Sequence, residues 1–160
     1  MASQRDLVLQ ATTKALETRK ILGKNLYEPI CIYDAANELN VKVQFMEASS
    51  MEGLYSKIPR PTILLSALRP AGRRVYTCAH ELGHHVFGHG FRIDELVEQL
   101  YQTSRFDPDE FLVDCYAGLL LMPKSAVANA FNIRGWDVNK INEFQVFNVA
   151  SWLGGMCQES

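Results

Sequence analysis

The chain is 160 residues long, 48% hydrophobic and 21% charged, with a formal net charge of −2. That length fits one domain with a sizeable core, residues 1–160, and the composition is that of an ordinary soluble globular protein. A charge near zero, with no dense basic run, gives no electrostatic case for direct nucleic-acid binding.

Ser3 is placed to cap a helix running to about Leu22, with Gly23 as its stop. Before it, Met1 to Asp6 do not lead into an apolar signal core, so secretion is not expected. Pro29 to Leu39 predicts a second helix, opened by proline and closed at Asn40. Val41 to Phe45 alternates apolar and polar residues and predicts a half-buried strand. Gly53 to Ile58 is a weaker strand, broken off by Pro59 and Pro61, and Thr62 to Ser66 is a third. Arg69-Pro70-Ala71-Gly72 reads as a turn before a helix that ends at Gly88 and Gly90. Arg69, Arg73 and Arg74 read as solvated surface. Asp94 to Thr103 is expected to be a short helix or a structured loop. Asp107-Pro108 opens a stronger helix, through Leu121 to Met122-Pro123. Ser125 to Phe131 reads as a turn or two of helix, Gly135-Trp136 as a loop, and Val138 to Leu153 as a last amphipathic helix. The order predicts an α+β fold: a small, mostly antiparallel three-stranded sheet packed with helices. Its core motifs span about 50–125, followed by a helical part over 125–157.

The longest apolar stretch, Tyr116 to Met122, is too short to cross a bilayer, so no membrane association is expected. Cys31, Cys78, Cys115 and Cys157 show no C-x-x-C pairing and read as reduced thiols of a cytoplasmic protein, mostly core fillers. A thiolate ligand from Cys78 or Cys115 stays open.

The chemistry lies in His80-Glu81-Leu82-Gly83-His84. On a helix, His80 and His84 point the same way and can reach one metal ion, for which zinc is the usual guest. Glu81 is placed to serve as base for a water beside the ion, so the motif proposes metal-assisted hydrolysis. Val75, Ala79, Leu82 and Val86 form the stripe that would bury this zincin-like helix. Gly83 costs helix propensity, and close approach of a neighbouring strand or substrate is one reason to tolerate it.

A catalytic zinc usually takes a third protein ligand. His85 points about 100° away round the helix and is excluded by geometry. His89, beyond Gly88, could curl back. Glu110 and Asp114 share one face of the helix opened by Asp107. Glu110 is the preferred third ligand, with Asp114 taking a hydrogen bond from a histidine ligand's free nitrogen. Asp114 or His89 as the ligand stay open. Tyr55 and Tyr76 are candidate oxyanion donors, and the strand of Gly53 to Ile58 or of Thr62 to Ser66 could offer its edge to an extended peptide.

Tyr76-Thr77-Cys78-Ala79-His80-Glu81-Leu82-Gly83-His84 and Tyr116-Ala117-Gly118-Leu119-Leu120-Leu121-Met122-Pro123 together resemble the ImmA/IrrE family of metallopeptidases. The first is similar to the family's F-T-x-A-H-E-x-G-H and the second to its F-A-x-x-L-L-M-P. Ahead of the second, family members commonly carry E-x-E-A-N or E-x-x-A-D. Here Glu110-Phe111-Leu112-Val113-Asp114 keeps the outer acids and replaces the inner positions. The resemblance implies a zinc-dependent endopeptidase of the cytoplasm. It also implies a regulatory role: cutting a protein substrate such as a helix-turn-helix repressor, in stress response and transcription regulation. Two rivals remain: a non-catalytic zinc-binding interaction module, and a toxin-like hydrolase acting on another substrate.

Overall fold

The computed structural model describes residues 2–90, 92–95 and 106–154, the middle stretch in its backbone only. Helix α1 (Gln4–Ile21) starts at a reciprocal cap: Asp6 N–H donates to Ser3 Oγ at 3.2 Å, and Ser3 N–H to Asp6 Oδ2 at 3.0 Å. Gly23, at φ +63°, follows its end. Leu7, Ala11, Ala15 and Thr18 form its buried stripe. Helix α2 (Ile32–Glu38) begins three residues later than Pro29 predicts, with Cys31 as N-cap and no side-chain cap, and gives way to Asn40 at φ +59°.

The strands are β1 (Lys42–Met46), β2 (Met51–Ser56), β3 (Thr62–Ser66) and β4 (Arg92–Glu95). They form a four-stranded sheet in the order β1-β3-β2-β4. β1 runs parallel to β3, and β2 is antiparallel to both β3 and β4. The sheet is therefore mixed, with one strand more than the sequence predicts. The fourth strand escapes a pattern search because Arg92-Ile93-Asp94-Glu95 offers a single apolar residue, and pairing with β2 is a backbone affair. It takes in Asp94 and Glu95 from the stretch expected to be helix or loop; the remainder of that stretch lies outside the described residues. β2 and β3 are both interior strands, so neither offers the free edge expected of them for a peptide.

Helix α3 (Ala71–Val86) carries the H-E-x-x-H motif and packs on β2 and β3. It starts inside the predicted turn, with Pro70 as N-cap and Gly72 in the first turn. Helix α4 (Pro108–Leu121) is capped by Asp107, whose carboxylate accepts from the N–H groups of Asp109 and Glu110. Its far end is closed by α1. Buried Arg19 donates to the Leu120 carbonyl from Nη2 at 2.6 Å and Nε at 3.0 Å, and to the carbonyls of Asn25 and Glu28. Leu120 has one of the last carbonyls of the helix, without an intrahelical partner, so a cation is well suited there. Thr18 and Tyr116 join the two helices by a buried hydroxyl pair at 3.0 Å.

Helices α5 (Lys124–Ile133) and α6 (Glu143–Gly154) bury a small second cluster, Ala126, Ala130, Phe131, Val149 and Leu153. Residues Pro108–Ile133 are long and apolar enough in composition to cross a membrane. Of that apolar window 44% is buried in protein, with Leu112, Val113, Tyr116, Ala117 and Leu120 buried, and the helix is interrupted at Met122-Pro123.

Cys78 and Cys115 are free thiols, but Cys31 is disulfide-bonded. The expectation of reduced cysteines fails at Cys31, because spacing along the chain says little about spacing in the fold. Cys157 lies outside the described residues.

Candidate metal centre

Two glycines let the motif helix reach its neighbours. A Cβ on Gly53 of β2 would lie 2.5 Å from Thr77 Cγ2 and 3.2 Å from Glu81 Oε1, so only glycine lets this strand lie against α3. A Cβ on Gly83 would lie 2.9 Å from Val113 Cβ and 3.3 Å from Tyr116 Cδ1. The close neighbour that Gly83 admits is helix α4, neither a strand nor a substrate.

This contact brings the acids of α4 over the histidines of α3. The two Nε2 atoms of His80 and His84 are 3.2 Å apart. Glu110 closes the group, with Oε2 3.2 Å from His80 Nε2 and Oε1 3.6 Å from His84 Nε2. His84 is fully buried, His80 nearly so, and Glu110 half-buried. Leu112, between the two acids, turns into the core.

The outer nitrogens of the histidines are engaged behind this group. His80 Nδ1–H donates to Asp114 Oδ1 at 2.9 Å, and the same oxygen accepts from the Tyr76 hydroxyl at 2.8 Å. Burial acts to raise the Asp114 pKa. The hydrogen bonds from His80 and Tyr76, with the nearby histidine charges, outweigh it and hold the carboxyl below its ordinary range. His84 Nδ1 lies 2.9 Å from His89 Nδ1.

Glu81, between the histidines in sequence, is fully buried with its carboxylate against Gly53. His85 points elsewhere, as its place on the helix requires; its Nδ1 meets the Tyr55 hydroxyl at 2.8 Å. Both tyrosine hydroxyls considered as oxyanion donors are thus engaged, Tyr55 on His85 and Tyr76 on Asp114. Burial, and then the Glu81 carboxylate, push the Cys78 thiol up, and burial and Asp114 do the same to Cys115. Both therefore stay thiols at neutral pH, and neither belongs to the group of His80, His84 and Glu110 that could hold a metal ion.

Sequence reasoning missed the partnership of Tyr76 and Asp114, although Tyr76, four residues before His80, shares its helix face. It weighed His89 as a ligand; the structure places that ring behind His84, Nδ1 to Nδ1.

The donor set fits a small divalent ion. Ligands 2.0–2.1 Å from a tetrahedral zinc are about 3.3 Å apart. The three donor groups are separated by 3.2, 3.2 and 3.6 Å, with all ligand atoms within 4.8 Å of one another. The outer hydrogen bonds match as well, because a histidine that gives Nε2 to a metal carries its proton on Nδ1 and needs an acceptor there.

A family model described as Peptidase_M78, IrrE N-terminal-like domain, matches residues 36–150, which include both the H-E-x-x-H motif and the acids of α4. No curated protein matches the chain.

Proposed function

The chain belongs to the IrrE N-terminal-like peptidase family, and from that premise we propose that it is a zinc-dependent endopeptidase. His80 and His84 would hold the ion through Nε2 and Glu110 through its carboxylate. The observation that carries this reading is the convergence of these three groups, each histidine having its other nitrogen already engaged.

Zinc bound there would polarise the scissile carbonyl and lower the pKa of the attacking water toward neutrality. Glu81 takes the proton of that water and delivers it to the departing amine. Asp114 fixes His80 as the Nδ1–H tautomer and raises its basicity. Tyr76 holds Asp114 in place for this.

The substrate we propose is a separate cytoplasmic protein, such as a helix-turn-helix repressor, cut at a specific bond. Kinship supports this choice. The test is Glu81→Gln in the zinc-loaded protein, incubated with candidate repressors and read by mass spectrometry. The wild type should cut one bond and the variant should not, while both retain zinc. Cleavage by Glu81→Gln at the wild-type rate would overturn the mechanism. A wild type that cuts no repressor, yet cuts another protein, would overturn only the choice of substrate.

A further inference from the structure

We propose that His89 is a positioning residue of the metal centre, fixing the tautomer and orientation of His84 from behind. The inference rests on the reading of His84 as a metal ligand and adds a role that reading does not contain.

The end of helix α3 supplies the geometry. Phe87 is the C-cap and Gly88 follows at φ +72°. Gly88 N–H donates to the His85 carbonyl at 3.1 Å, and His89 N–H to the His84 carbonyl at 2.9 Å. This pair of bonds is the Schellman cap, in which the second residue past the C-cap folds back over the last turn. Its usual side-chain contact between those two positions is apolar. Here both positions are histidine, and the contact becomes polar: Nδ1 faces Nδ1 at 2.9 Å. Phe87 stacks on the His89 ring, with centroids 6.1 Å apart and planes 27° apart, so the ring is held on a second side.

Proton placement follows from the donors. With His84 Nε2 directed at the metal-binding group, its proton must sit on Nδ1 and be donated to His89 Nδ1. His89 can accept there only as the Nε2–H tautomer, and its Nε2 faces Asp109 Oδ1 at 3.7 Å. His80 is thus backed directly by a carboxylate, whereas His84 is backed by an imidazole with a carboxylate beyond it. The same helix end that stops α3 builds this support, and Gly88 is the residue that permits the turn.

Zinc affinity, measured by competition with a chromogenic chelator, tests the role without recourse to catalysis. His89→Ala should bind zinc about 10–100-fold more weakly, the range typical for losing such a support. His89→Asn, whose amide oxygen can accept from His84, should recover most of that loss. His89→Lys, which can only donate, should not. Far-UV circular dichroism checks that each variant folds, and if the alanine variant does not, the Asn and Lys pair decides. Unchanged affinity in His89→Ala, or equal affinities in the Asn and Lys variants, would overturn the role of His89 and leave the metal centre standing. A wild type that takes up no zinc would overturn the metal centre and this inference with it.

Discussion

Gly83→Ala should separate the stability of this protein from the integrity of its site. In an open helix the change would stabilise by about 0.8–1 kcal/mol, because glycine is the poorer helix former. Here the new Cβ would stand 2.9 Å from Val113 Cβ, which is fixed to the α4 backbone and cannot rotate away. An ordinary carbon contact needs about 3.5 Å, so α3 and α4 must part by roughly 0.6 Å. Overpacking of this kind costs about 1–3 kcal/mol. Set against the propensity gain, the net loss is about 0–2 kcal/mol. The effect on the metal site should be larger. Glu110 lies one turn before Val113 and moves with it, whereas His80 and His84 stay on α3. Metal–ligand distances tolerate about 0.2 Å, so the displacement is several times what the site accepts. Urea denaturation should show a small or moderate shift in midpoint, and chelator competition should show zinc affinity down at least tenfold. An alanine variant that is more stable than wild type and binds zinc equally well would refute the claim that Gly83 sets the spacing of the helices.

Asp114→Ala should weaken zinc binding by about 10–100-fold, with Tyr76→Phe weaker in effect because it removes only the outer of two hydrogen bonds; equal losses in a chelator titration would contradict that order. Asp107→Ala removes the cap of α4 and should lower stability by about 1 kcal/mol in urea denaturation. It should also reduce zinc affinity, since Glu110 sits on the first turn that the cap holds; an unchanged affinity would show that packing on α3 alone fixes that turn.

The site was legible in the sequence where one helix fixes the geometry. His80 and His84 share a face by spacing alone, as do Glu110 and Asp114, and Asp107-Pro108 marks the start of the second helix. What joins the two pairs is a contact between helices. Gly83 signalled close approach, but only the packing shows that Val113 is the neighbour. His89 marks a different limit: beyond a glycine it could curl back as a ligand, and spacing alone could not place its ring beside His84 Nδ1. The sheet was harder to read. β3 was bounded as found, because Ile63-Leu64-Leu65 is an apolar run set between proline and a turn. β4 has no such pattern, since partner backbone and not burial selects it. The parallel pairing of β1 with β3 is likewise a matter of topology that strand composition does not encode.

The proposed chemistry turns on a zinc ion held by two imidazoles and one carboxylate. X-ray absorption at the zinc edge of the loaded wild-type protein reads that ligand set. One zinc per chain is expected, bound by two histidine nitrogens and by oxygen at about 2.0–2.2 Å, with one nitrogen lost in His84→Ala and a changed oxygen shell in Glu110→Ala. Sulfur at about 2.3 Å, or a coordination shell unaltered by both substitutions, would contradict it.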